Sequence, residues 1–187
     1  MSAPVIAIHG GCGTLAPELL PAAEWAEVRE HLAQSLRAGW AVLAAGGSAL
    51  DAVQAAVVVL EDSPHFNAGH GAALTREATH ELDASLMDGR DGRAGAVCTA
   101  SRIRNPILGA RAVMEHSGCV LISGPAADRF AESQGLAMVD NAYFTTPRRV
   151  QALATIQAGR ATGSIQPSPP GQPMKPVKPI TEADRHG

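Results

Sequence analysis

Apolar positions along the chain switch between a two-residue and a helical period, and their order predicts strands and helices interleaved. Residues 5–9 form a short apolar run that ends in Gly10, Gly11 and Gly13, as a buried strand feeding a tight loop would. Over residues 22–45 the apolar positions recur at helical spacing until Gly46 and Gly47 stop them. Ser48 then caps a second helix, with Asp51 three residues on, and the following AVQAAVVVLE is so uniformly apolar that the helix should lie between layers. Residues 62–71 hold neither period and read as a loop rich in Gly, Pro and Asn. Residues 81–87 and 94–99 alternate in part around Asp88-Gly89 and Asp91-Gly92, which is a hairpin pattern. Asn105 as cap and Pro106 in the first turn start a helix over 106–117, and 119–123 reads as another buried strand. Helices over 125–133 and 147–158 follow, ended by Gly135 and Gly159.

After Gly159 the pattern dissolves. GSIQPSPPGQPMKPVKP is too rich in Pro, Gly and Ser to hold a helix, and too poor in apolar residues to pack. The expected organisation is therefore a folded part over 1–159 and an extended tail over 160–187, with no internal repeat.

With 187 residues, 45% hydrophobic and 18% charged, the chain can form a single domain with its own core. Aromatics make up only 3%, so that core must be built from Ala, Val, Leu and Ile in closely approached layers. A net charge of -3 supplies no basic field for a polyanion, which argues against nucleic acid as a partner. Cys12, Cys98 and Cys119 fit neither a disulfide framework nor a CxxC metal site and are expected as buried reduced thiols. No Lys or Arg precedes Arg29, as a secretory leader would require, and the apolar run at 5–8 is too short to span a bilayer. A cytoplasmic protein with no membrane contact is expected.

Among the candidate chemistry, HGGCG after a strand reads either as a tight structural turn or as a set of exposed amides for an oxyanion or phosphate. The lipase-type HGGG segment looks alike, but no G-x-S-x-G elbow accompanies it. The loop at 60–70 has no carboxylate cluster for a divalent cation, yet a curled loop can offer main-chain carbonyls to a monovalent one. Asn67 could simply close an Asx turn toward Gly69. His65, His70, His80 and Asp83 are zinc-type ligands in kind, but lack the HExxH spacing and read more plainly as packing or surface residues. Asp83, on a strand expected to be buried, needs an arginine or backbone amides as partner. Arg111 and Arg129 fall on helices and should be solvated or paired there.

Four motifs in order, IAIHGGCG, SALDAV at 48–53, FNAGHGAALTREATHELDASLMDGRDGRAGAV at 66–97 and RNPILGARAVME at 104–115, resemble the isoaspartyl peptidase and plant-type L-asparaginase family. These are N-terminal-nucleophile hydrolases, and the resemblance runs from Val5 to about Val150. It implies an α/β fold, the four-layer αββα sandwich, made from an α and a β chain cut from one precursor and paired as an (αβ)₂ heterotetramer. It also implies that the nucleophile, a threonine opening the β chain, lies outside this chain, with Gly187 as the acyl side of the self-cleaved bond. That threonine would attack with its hydroxyl while its own α-amine, titrating near about 7.7–8.0, takes the proton. By the same resemblance His9, Gly10 and Gly11 support the site, Asn67 lies beside the nucleophile, and a structural Na⁺ is held by the carbonyls of Leu60, Glu61, Ser63, Phe66, Ala68 and His70. No cofactor for catalysis is implied. The implied substrates are L-asparagine and β-aspartyl dipeptides. A glycosylasparaginase-like hydrolase subunit, or a non-catalytic regulatory subunit that binds an anion or metal, are the competing readings.

Overall fold

The computed structural model describes residues 3–10 and 21–162. In chain order these form α1 (Ala22–Ala44), α2 (Ala49–Asp62), β1 (Leu82–Met87), β2 (Ala94–Ala100) and α3 (Pro106–Ala112), which continues as a π-turn at Val113–Ser117. Then come β3 (Leu121–Ser123), α4 (Pro125–Ser133), a 3₁₀ turn at Asn141–Phe144 and α5 (Pro147–Ala161). The chain divides into two units, Met1–Leu153 and Ala154–Gly187. Within the second, the described residues are the C-terminal end of α5.

α1 and α2 pack as an antiparallel pair whose closeness depends on small residues. Ser35 donates to the Ala56 carbonyl at 2.8 Å from inside the contact. At Gly39 a Cβ would stand 2.9 Å from the Ala52 carbonyl oxygen, so only glycine lets the backbones approach this far. The Ser48 cap forms as its spacing predicts: its hydroxyl accepts the Asp51 N–H at 3.0 Å and donates to the Asp51 carboxylate at 2.7 Å. α2 buries Leu50, Ala52, Ala56 and Leu60. It is not enclosed all round, however, for Val53 is exposed on its outer side.

The hairpin forms as the turn residues predict, β1 pairing antiparallel with β2, and β3 then pairs parallel with β2 after the α3 crossover. Side chains at Val97, Ala100, Ile103, Val113, Ala127 and Ala131 make one core between this sheet and its helices. A second core, Leu50, Leu86, Ile107, Ala110 and Met114, joins α2 to β1 and α3. Gly95 is a close-packing point, since a Cβ there would lie 2.2 Å from the Ala110 carbonyl oxygen. The opposite face of the sheet carries Asp83, Ser85, Met87 and Leu121, all exposed.

Several expectations need correction. Residues 5–9 are not a ladder strand: their side chains alternate, with Ile6 and Ile8 half-buried and Val5, Ala7 and His9 exposed, but no strand among the described residues pairs with them. The run at 119–123 shrinks to Leu121–Ser123, and Val120 and Leu121 are exposed because β3 lies at a sheet edge with one face open. For the same reason Cys119 is exposed rather than buried; Cys98 is half-buried, and Cys12 lies outside the described residues. Helical geometry at 106–117 loosens into the π-turn from Val113, where the Ser117 hydroxyl bonds back to the Val113 carbonyl at 2.7 Å. Gly159 does not stop α5, which runs to Ala161 and ends where the Thr162 hydroxyl bonds the Ala158 and Gly159 carbonyls. Asp83 is exposed rather than buried, and finds its partner in the Thr99 N–H at 2.7 Å. That bond spans an irregularity in the hairpin between Leu82 and Ala84, where Thr99 takes a positive φ of 51°.

Candidate functional site

The C-terminal end of α2 anchors the site through Glu61. Its carboxylate is 2% exposed and reaches under α3, where Oε1 accepts the Ile107 N–H at 2.9 Å. Glu61 thereby caps α3 in place of Asn105, whose side-chain amide donates instead to Asp62 at 3.2 Å. The other oxygen, Oε2, is buried without a hydrogen bond among the described residues, and burial pushes the Glu61 carboxyl up to about 8.

The main chain of Glu61 clasps the loop that follows. Its carbonyl accepts the His70 N–H at 2.7 Å, and a Cβ on Gly69 would stand 2.4 Å from the same oxygen. The loop is pinched shut one residue later. Gly71 has a φ of +97° and would place a Cβ 2.5 Å from the Pro64 carbonyl oxygen, so only glycine closes this ring. Its N–H donates to the Phe144 carbonyl at 2.8 Å, and its carbonyl accepts from Arg149 Nε at 2.5 Å. His70 adds a bond from its ring Nδ1 to the Tyr143 carbonyl at 2.8 Å.

Phe66 turns inward from the loop into a core with Val28 and Leu60, and Gly10 lands against it. A Cβ on Gly10 would stand 3.2 Å from the Phe66 ring and 2.6 Å from Leu32. The His9-Gly10 segment and the loop bearing Asn67, more than fifty residues apart in sequence, are thus brought together. Gly11 and Gly187 lie outside the described residues. Asn67 is exposed and closes no Asx turn toward Gly69; its Oδ1 accepts the Ala73 N–H at 2.6 Å, which leaves its amide nitrogen available as a donor.

The loop also fits the monovalent-cation expectation in its donor set. Of the six carbonyls at Leu60, Glu61, Ser63, Phe66, Ala68 and His70, only those of Leu60 and Glu61 accept a main-chain bond from a turn among the described residues. Each carbonyl oxygen has two lone pairs, so even these two keep capacity for a hard cation.

The histidines disperse. His65 meets His31 edge-on at 5.1 Å between ring centroids and lies 3.5 Å from Glu27 on α1. His80 is buried, with Nε2 2.9 Å from the Thr145 hydroxyl and its ring edge-on to Phe144. Burial lowers the pKa of both. Among the described residues no three His, Cys, Asp or Glu side chains are disposed to hold a metal ion. Arg111 pairs with Asp51 and Glu115, as a helical arginine should, and Arg129 is exposed.

Sequence reasoning missed four polar residues that fix this architecture. Besides the Glu61 side chain and Arg149, Asn141 bridges the His80 and Ser101 carbonyls, while Asp128 takes the Ser101 and Arg102 amides. One signal was available. Glu61 falls three and four residues after Val58 and Val57 on the α2 side that packs against α3, where a lone carboxylate must find a donor.

Comparison with known proteins gives the family. A family model described as asparaginase matches residues 2–187. The chain is 45% identical over 174 residues to an isoaspartyl peptidase of Salmonella typhimurium, covering 93% of this chain and 55% of that protein. It is 43% identical over 162 residues to an isoaspartyl peptidase of Escherichia coli, covering 87% and 50%. With an isoaspartyl peptidase/L-asparaginase of Homo sapiens it shares 37% over 151 residues, covering 80% and 47%. The chain spans about half the length of the curated relatives it matches.

Proposed function

Because the chain belongs to the asparaginase family, we propose that it is the N-terminal, α part of an enzyme that hydrolyses β-aspartyl dipeptides and L-asparagine. The observation that carries the reading is the seating of Gly10 on Phe66, which sets the His9-Gly10 segment beside the loop that holds Asn67. In this reading the nucleophile is a threonine that opens the β part. Its hydroxyl attacks the side-chain amide carbon while its own α-amine takes the proton; the tetrahedral intermediate then expels the amine or ammonia, which carries that proton away, and water hydrolyses the acyl-enzyme that remains. The free Asn67 amide is a donor for the charge that develops next to that threonine.

The exposed sheet face and the alternating segment at 5–9 are surfaces that the β part would cover, completing an αββα sandwich. Two such αβ units would form the heterotetramer. The carbonyl ring of the 60–70 loop would hold Na⁺, which stiffens the loop and supplies no chemistry. No helix among the described residues is long and apolar enough to cross a membrane, and the proposed location is the cytoplasm.

The test is hydrolysis by the full-length, processed protein on a β-aspartyl dipeptide, L-asparagine and N-acetylglucosaminyl-asparagine. Release of aspartate from the first two supports the reading. Turnover of the third alone would assign a glycosylasparaginase, and turnover of none would leave a binding subunit.

A further inference from the structure

Arg149 occupies a costly position. It stands in the first turn of α5, where the helix end is already partly positive, directly after Arg148. Arg148 is offset by Glu24 on α1 at 3.1 Å, whereas no carboxylate among the described residues pairs with Arg149. Its guanidinium is half-buried, and burial together with the charge of Arg148 holds its pKa below the usual value. The one acceptor its side chain meets among the described residues is the Gly71 carbonyl, at 2.5 Å from Nε.

That carbonyl sits at the pinch point of the loop. Gly71 is held from both sides, its N–H on the Phe144 carbonyl and its carbonyl on Arg149, and lies so close to Pro64 that an added Cβ would stand 2.5 Å from the Pro64 carbonyl oxygen. Two residues further on, the Ala73 N–H donates to Asn67 Oδ1 at 2.6 Å. Whatever fixes Gly71 therefore fixes the direction of the Ala73 N–H, and with it the side-chain orientation of Asn67. A charged donor on a main-chain carbonyl makes a stronger tether than a neutral one.

We propose that Arg149 is a positioning residue: by tethering the Gly71 carbonyl it holds Ala73, and through Ala73 sets the orientation of Asn67 in the reacting site. This rests on the proposed function above. In this role Arg149 acts through the loop.

The experiment compares Arg149→Met, Asn67→Ala and the double variant of the full-length, processed protein. It reads kcat and KM on a β-aspartyl dipeptide, with hydrogen exchange of the segment 63–73 alongside. The expected result is a loss in kcat of about ten- to a hundredfold for Arg149→Met, with KM changed far less. Exchange at 63–73 should quicken while segments of α1 and α2 stay as they are. The double variant should be no slower than Asn67→Ala alone, since the tether acts through the asparagine. Additive losses, exchange that quickens throughout the protein, or unchanged exchange at 63–73 would each overturn the proposal. If the Met variant does not fold, Arg149→Gln replaces it under the same criteria. Absence of hydrolysis in the parent protein would count against the function instead, and the exchange at 63–73 would still decide whether Arg149 holds the loop.

Discussion

The carboxylate of Glu61 and the main-chain N–H of Ile107 meet at 2.9 Å, so that the last turn of α2 caps the first turn of α3. One residue thereby serves two tasks, because the carbonyl of Glu61 also accepts the His70 N–H that closes the neighbouring loop. Replacing the side chain by alanine strands a buried donor, at a cost of about 1–3 kcal/mol. Glutamine keeps an acceptor for Ile107 without the buried acid. Urea denaturation should therefore rank Glu61→Ala below Glu61→Gln by about that amount. Equal midpoints for the two variants would show that the cap contributes nothing.

The loop glycines give a second comparison. A methyl group on Gly69 would meet the Glu61 carbonyl oxygen at 2.4 Å, whereas one on Gly89, in the hairpin turn, would meet nothing within 4 Å. Gly69→Ala should destabilise the protein by about 1–3 kcal/mol, and Gly89→Ala should be close to neutral. Thermal melts of the two variants check this, and similar losses for both would contradict the close approach described here.

His80 carries a pH prediction. Its ring is buried against Phe144, and burial lowers its pKa from the ordinary 6.5. Below pH 6.5 the unfolded chain takes up a proton at this residue before the folded one does. The stability from a neutral His80 is then complete above pH 6.5 and is lost as the pH falls through the lowered folded value. His65 is shifted the same way, so wild-type stability should decline on acidification by the sum of both. Thermal midpoints between pH 7 and pH 5 should fall less steeply in His80→Gln than in wild type. An identical slope would remove His80 from the account.

The carbonyl loop predicts a dependence on the monovalent cation. An ion that binds only the folded state stabilises it by mass action, so exchanging Na⁺ for a bulky organic cation at constant ionic strength should lower the melting temperature. Loss of that difference in Gly69→Ala would locate it to the loop. A melting temperature indifferent to the cation would argue against an ion there.

Local pattern made the helices and the hairpin legible, because their signals are contained within a few residues. The Ser48 cap, the Asp88-Gly89 turn and the Pro125 helix start each stabilise their element by contacts no further than seven positions away. What escaped was set by distant partners. Residues 5–9 alternate as a strand does, yet pairing depends on a neighbour that local pattern cannot specify. Asn105 has the right type and place for a cap, but Glu61, forty-six residues before Ile107, takes the Ile107 amide. At the site, Gly10 and Asn67 were singled out by family resemblance. Their meeting through Phe66, and the tether of Arg149 on Gly71, arise only once α1, α2 and α5 are packed.

The central claim, that this chain is the α part of a hydrolase whose base is released by cleavage, is tested most directly by following the full-length precursor in time. Intact mass reads the cleaved fraction, and the rate of β-aspartyl dipeptide hydrolysis is read on the same samples. The account predicts a second chain that begins with threonine and a rate that rises in proportion to the cleaved fraction, because the α-amine exists only after the cut. Full activity in wholly uncleaved protein would contradict it.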